Sequence, residues 1–213
     1  MNVKTDKPPI SFVLPKGRLA EQTMDMLIKS GVSESGVVDF DSRKLIFEDS
    51  SAKIKFLIIR NSDIPVYVEH GAADFGVVGK DILEETGAKV YEFADLGFGA
   101  CRLSVAAPAG YSARYKHNMR VATKYPNTTK SIFAKKGIFV EVIKLYGSIE
   151  IAPLTGLSDY IVDLVDTGET LRKNGLEELE VIMRSTARLI VNRNLARAKY
   201  ERIKEILSVL GRR

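Results

Sequence analysis

The clearest chemistry in the chain lies at Ile161-Val-Asp-Leu-Val-Asp-Thr-Gly-Glu-Thr-Leu171. An apolar strand pattern runs into small and polar residues around Gly168, and a helical pattern follows that stops near Asn174-Gly175. Backbone N–H groups at a helix start have no intrahelical partner and form a ready anion site, while acidic residues at the strand end can accept hydrogen bonds from sugar hydroxyls. The combination suits a ribose phosphate. A plain helix cap at Thr167, with Asp166 closing a turn, accounts for the same pattern.

A second junction, Leu14-Pro-Lys-Gly-Arg18, again joins a strand to a helix start. Cations there oppose the macrodipole, so Lys16 and Arg18 are locally unfavourable unless an anion sits between them. The effect is only about 0.3 to 1 kcal/mol, so two solvated side chains are the other reading. In Asp63 to Asp81 a helix, a glycine stop, an acidic turn and a buried strand follow one another. His70, just before Gly71, reads as a partner for helix-terminal carbonyls rather than a base, and Gly71 to Asp74 as tight packing. Cys101 reads as a small half-buried residue, and Arg43-Lys44 before Leu45-Ile-Phe47 as a solvated turn. No serine nucleophile elbow, Walker A loop or Rossmann glycine fingerprint occurs.

The elements that must position these residues alternate from end to end. Strands are predicted at residues 10–14, 54–59, 75–78, 103–106, 120–123, 139–143 and 160–165. Between them sit helical patterns such as Arg18 to Ser30, whose Ala20, Met24, Leu27 and Ile28 share one face and which stops at Gly31. This is an α/β chain with a largely parallel sheet. The stretch Pro108 to Asn118 breaks the alternation and reads as a linker or exposed turn, with one α/β lobe before it and another after it. An amphipathic helix is expected from Asn194 to Leu210.

With 213 residues and 45% apolar content, the chain has enough length for a real core and for one or two domains. No stretch approaches the roughly 20 apolar residues that cross a bilayer, and the N-terminus has no apolar core of an export signal. One cysteine and two distant histidines, His70 and His117, give neither a disulfide nor a protein-built metal site, so a cytoplasmic protein without membrane attachment is expected. The net charge of +5 comes from scattered basic residues, never more than two in a row. That distribution argues against a nucleic-acid stripe and for small phosphorylated ligands, which need only a few placed cations.

Eight blocks, in order, resemble the ATP phosphoribosyltransferase family, the first enzyme of histidine biosynthesis. They are Leu14 to Ala20 (LPKGRLA), Ser42 to Phe47 (SRKLIF), Tyr67 to Asp74 (YVEHGAAD), Val78 to Asp81 (VGKD), Ala94 to Leu103 (ADLGFGACRL), Arg120 to Tyr125 (RVATKY), Leu145 to Leu154 (LYGSIEIAPL) and Asp163 to Leu176 (DLVDTGETLRKNGL). The resemblance implies two α/β lobes of the type II periplasmic-binding-protein kind with ligands in the cleft between them. Residues 1–105 and 186–213 would form the first lobe, with the C-terminal helix on it, and residues 106–185 the second. It also implies the short form of the family, which lacks a C-terminal regulatory domain.

Carried over residue by residue, Asp163 to Leu171 resembles the family's phosphoribosyl pyrophosphate loop. Asp163 and Asp166 would face ribose hydroxyls, and Thr167, Gly168, Glu169 and Thr170 would wrap the 5-phosphate, with Leu171 closing the segment. Glu169 departs from the family's usual basic or neutral residue, so its carboxylate is expected to point outward and its N–H alone to serve the phosphate. Arg18 and Arg43 match arginines that the family uses on the pyrophosphate side and would be catalytic, with Lys16 and Gly17 expected to bind substrate. The implied reaction is attack by N1 of ATP on C1 of phosphoribosyl pyrophosphate, with inversion, giving phosphoribosyl-ATP and pyrophosphate. Magnesium would arrive with the substrate phosphates. The implied partner is a regulatory subunit resembling histidyl-tRNA synthetase, the chain alone forming homo-oligomers. A non-catalytic ligand-binding or sensing module on the same two-lobe fold is the alternative.

Overall fold

The computed structural model describes residues 7–211, and the expectation about the first residues of the chain lies largely outside them. In chain order the elements are β1 (Ile10–Pro15), α1 (Arg18–Lys29), β2 (Ile46–Asp49), β3 (Ile54–Ile59), α2 (Ile64–Glu69), β4 (Phe75–Gly79), α3 (Lys80–Thr86) and β5 (Tyr91–Asp95). They continue with β6 (Cys101–Pro108), β7 (Arg120–Thr123), α4 (Pro126–Lys135), β8 (Glu141–Lys144), α5 (Ile151–Leu154), β9 (Tyr160–Val165), α6 (Glu169–Lys173) and β10 (Leu176–Ser185). The chain closes with β11 (Ala187–Val191) and α7 (Tyr200–Leu210). No helix among the described residues is long and apolar enough to cross a membrane.

Two compact units result: one comprises residues up to Leu83, Gly87–Gly99 and Thr186 onward, the other Glu84–Thr86 and Ala100–Ser185. The chain enters the second sheet after Gly99, where 105/106 was expected, because Cys101–Pro108 is one continuous strand of that sheet. Residues 108–118, expected as a linker or exposed turn, lie wholly inside the second unit and are mostly exposed. Tyr115 anchors that stretch, packing edge-on to Phe133 at 5.2 Å and to Tyr160 at 5.4 Å.

The first unit is built on a six-stranded sheet ordered β2-β3-β1-β4-β11-β5. Three of its four inner strands, β3, β1 and β4, run parallel, and β1 is buried along nearly its whole length. Phe12 stacks on Phe75 at 4.6 Å and tilts against Phe56 at 5.9 Å. Helix α1 buries Ala20, Met24 and Leu27 on this core, as its spacing predicts. The C-terminal pattern becomes α-helical only from Tyr200, after a 3-10 turn at Arg197–Lys199, and its Ile203, Ile206 and Leu210 complete the same core. Lys199 fixes that helix start by pairing with Asp74, whose Oδ2 also accepts from the N–H and hydroxyl of Ser11.

The second unit carries the sheet β10-β6-β9-β7-β8 over a core that includes Ala106, Ile149, Ile161, Val165, Leu171 and Leu176. Across both sheets five strand pairs are antiparallel and four parallel, which corrects the expectation of a largely parallel sheet. The strands β2, β5, β10 and β11 escape the apolar-run signal. Three of them are edges bearing charges, such as Glu48, Glu92 and Glu178, which an edge strand tolerates and a central strand does not. The strand expected at 139–143 begins instead at Glu141, leaving Phe139 71% exposed and stacked against His117.

Candidate active site

Strand β9 delivers the candidate loop. Its residues Tyr160 to Val162 and Val165 are buried, and the chain then leaves the sheet through exposed Asp166 and Thr167. Gly168 adopts φ 76° and ψ 8°, a left-handed conformation that favours glycine, and caps the five-residue helix α6. Leu171, 6% exposed, pins that helix to the core. Gly168, not Thr167, is the cap residue and no side chain caps this helix, so the Thr167 cap read from the sequence is corrected; Thr167 Oγ1 only accepts the N–H of Glu169 at 3.3 Å in a local turn. Glu150 and Asp163 to Leu171 line one hollow of about 180 Å³, which brings the predicted segment together around a single space.

Electrostatics inside the loop are uneven. Burial pushes the Asp163 carboxyl up from its ordinary value, and nearby Glu150 adds to the rise, while a backbone hydrogen bond from Leu164 and the charge of Lys124 pull it back. The Glu169 carboxylate pairs with Lys173 at 2.8 Å in an exposed i,i+4 pair, and Glu169 also lines the hollow.

Two arginines that sequence reasoning did not single out hold the turn. Arg102 Nη1 donates to the Asp166 carbonyl at 2.8 Å, and Arg172 Nη1 to the Thr167 carbonyl at 3.1 Å. Arg102 is itself gripped by Glu178, with Nε and Nη2 each 2.6 Å from a carboxylate oxygen, and Ser104 Oγ donates to the same carboxylate at 2.7 Å. The Arg102 hydrogen bonds hold the Glu178 carboxyl below the usual range against its burial. A signal for both arginines existed, since each stands inside a block shared with the family. Glu178 stands in none.

The other predicted residues sit in the first unit. Lys16, Gly17 and Arg18 form the β1–α1 junction, all exposed, and Gly17 at φ 80° and ψ −157° accepts the N–H of Ala20 through its carbonyl at 2.8 Å. Arg43 lies exposed in the turn before β2, beside Lys44, which reaches over the Phe47 ring. His70 is the C-cap residue of α2, but its side chain is not the carbonyl partner expected: Asn192 Nδ2 donates to the Val68 and Glu69 carbonyls instead. Cys101 is half-buried and in no disulfide.

Fold and loop together define a two-unit α/β protein with a strand–glycine–helix junction opening on a small hollow. Known proteins make that class specific. A family model described as "HisG: ATP phosphoribosyltransferase" matches residues 60–212. The ATP phosphoribosyltransferase of Caldanaerobacter subterraneus subsp. tengcongensis is 52% identical over 198 residues, covering 93% of this chain and 94% of the relative. That of Geobacter metallireducens is 50% identical over 205 residues, 94% of this chain and 96% of the relative. Among solved structures, the ATP phosphoribosyl transferase (HisG:HisZ) complex from Thermotoga maritima matches with TM-score 0.80 and 34% identity, over 95% of this chain and 96% of that one. The substrate-binding protein of an amino acid ABC transporter shares the fold alone, with TM-score 0.57 and 13% identity over 95% and 90% of the two chains.

The chain belongs to the ATP phosphoribosyltransferase family. It is an enzyme, a glycosyltransferase that joins ATP to phosphoribosyl pyrophosphate in the first step of histidine biosynthesis. The non-catalytic reading is thereby set aside.

Proposed function

We propose that Asp163 to Leu171 seats the ribose 5-phosphate of phosphoribosyl pyrophosphate, and that Arg18 and Arg43 stabilise the pyrophosphate that departs when N1 of the ATP adenine attacks C1. The observation that carries this reading is the convergence of Asp163, Asp166 and the Thr167 to Thr170 turn on one hollow at a left-handed glycine. Backbone N–H groups of the turn hold the phosphate, and the carboxylates of Asp163 and Asp166 accept from the ribose hydroxyls. Lys16 and Gly17 present the leaving group to Arg18.

The nucleophile is neutral and the leaving group a polyanion, so the charge that most needs stabilising develops on pyrophosphate, where the two arginines act. Among the described residues no group of three or more His, Cys, Asp or Glu is placed to hold a metal. Four carboxylates, Glu150, Asp163, Asp166 and Glu169, line the hollow, and one or two of them beside substrate oxygens and water would suit a magnesium ion that arrives with the substrate. When bound there, magnesium supplies further charge neutralisation at the phosphates.

The same reading places the chain in the cytoplasm and gives it homo-oligomers alone and a larger, histidine-inhibitable complex with a subunit resembling histidyl-tRNA synthetase. The Thermotoga complex supports a second subunit. Mixing the purified protein with ATP, phosphoribosyl pyrophosphate and magnesium should release pyrophosphate, and Gly168→Val should abolish substrate binding. Tight histidine binding and inhibition in the purified chain, without a second protein, would contradict the partner assignment.

A further inference from the structure

Two consecutive carbonyl oxygens of the loop, those of Asp166 and Thr167, are each taken by a guanidinium. In a trans peptide the C=O and the following N–H point in opposite directions, and no cis bond occurs among the described residues. Turning the Asp166 oxygen to Arg102 therefore turns the N–H of Thr167 away from Arg102. Turning the Thr167 oxygen to Arg172 does the same for the N–H of Gly168.

Arg102 is held more firmly than a surface cation. Both carboxylate oxygens of Glu178 bind its Nε and Nη2, so three of its N–H groups are committed once the Asp166 carbonyl is counted. The carboxylate also cancels its charge, which is the wrong arrangement for a residue that attracts phosphate by field alone.

Strand β10 is shaped to provide that carboxylate. Glu178 stands opposite Ala106, but an irregularity in the ladder then sets Glu180 opposite Val105. Cross-strand partners share a face and neighbours along a strand do not, so the bulge sends the two glutamates to opposite faces. Glu178 reaches Arg102 and Ser104 on one side, while Glu180 accepts from Tyr115 and Lys136 on the other.

We infer that Arg102, locked by Glu178 and Ser104, is a positioning residue that fixes the peptide planes of the phosphate loop, so that its N–H groups stand ready for phosphate before substrate arrives. The inference rests on the reading of Asp163 to Leu171 as the ribose-phosphate loop. A planar fork is required, because an ammonium cannot bind a carboxylate through two parallel N–H groups and a carbonyl at once.

The experiment compares Arg102→Gln, Arg102→Lys, Glu178→Gln and the Arg102→Gln/Glu178→Gln double variant with the parent protein. Phosphoribosyl pyrophosphate and ATP affinities are measured by calorimetry, and folding is followed by thermal melting. Each single change should weaken phosphoribosyl pyrophosphate roughly tenfold or more, with ATP affinity kept. The double variant should be no weaker than the worse single, because the residues act as one unit, and lysine should not rescue. Affinity restored by Arg102→Lys, effects that multiply in the double variant, or an unaffected Glu178→Gln protein would each overturn the positioning role. Gly168→Val separates this from the loop reading. If it loses phosphoribosyl pyrophosphate while the Arg102 and Glu178 variants bind normally, positioning fails alone, and if it too binds normally, both fail.

Discussion

The two strand–glycine–helix junctions of this chain look alike in sequence and differ in how they are held. At Gly17 nothing lies within 4 Å of where a Cβ would stand, and Lys16 and Arg18 are exposed at the head of a twelve-residue helix. At Gly168 a Cβ would meet Arg172 Nη1 at 3.2 Å and Val165 Cγ1 at 3.7 Å, and the carbonyls just before it are tied by arginines. Under the proposed reading, the first junction offers Lys16 and Arg18 to the departing pyrophosphate. The second, under the same reading, fixes backbone groups around the 5-phosphate that stays. A substrate whose 5-phosphate is retained while its pyrophosphate leaves calls for both.

The comparison breaks most sharply at Gly168. A valine there must hold φ near 76° with a β-branched side chain and clear Arg172, and calorimetry should find phosphoribosyl pyrophosphate affinity lowered by roughly 100-fold or more. Next come Arg18→Ala and Arg43→Ala. Each should slow the chemical step in single-turnover measurements, on the order of 100-fold, while substrate affinity falls much less. An unchanged chemical step would remove these arginines from the leaving-group side.

A smaller effect sharpens the loop side through pH. Because burial above all raises the Asp163 carboxyl, it takes up a proton at higher pH than an ordinary aspartate does. Phosphoribosyl pyrophosphate affinity should therefore decline as pH falls through that raised value, and Asp163→Asn should flatten this part of the profile while binding more weakly throughout.

The smallest expected effect lies outside the site and serves as the contrast to it. Burial pushes the Asp49 carboxyl up, yet hydrogen bonds from Ala52, Glu34, Ser51 and Ser33 outweigh it and bring it down to about 2. The depressed value stabilises the fold above the ordinary carboxylate range. That contribution, roughly 2 kcal/mol, should be lost as pH falls from about 4 towards 2. Acid titration of the unfolding midpoint should show a shallower decline in Asp49→Asn, with phosphoribosyl pyrophosphate binding unaffected.

What the sequence made legible follows the distance over which each feature is encoded. The Gly168 turn and the α1 face are fixed by residues a few positions apart, so their spacing reveals them. Arg102 and Glu178 are 76 positions apart and meet only because β6 and β10 pair with a bulge. No local pattern announces such a bulge, and the charges that make Glu178 useful also disguise β10 as something other than a strand. Asn192 in place of His70 at the end of α2 is the same lesson, a partner supplied from 124 positions away.

The central claim is that the loop from Asp163 to Leu171 receives the 5-phosphate, and a crystal structure with phosphoribosyl pyrophosphate bound tests it most directly. The account predicts phosphate oxygens about 3 Å from backbone nitrogens between Thr167 and Thr170, with the ribose hydroxyls on Asp163 and Asp166. A 5-phosphate seated at Lys16 to Arg18, with the pyrophosphate or nothing in the loop, would contradict it.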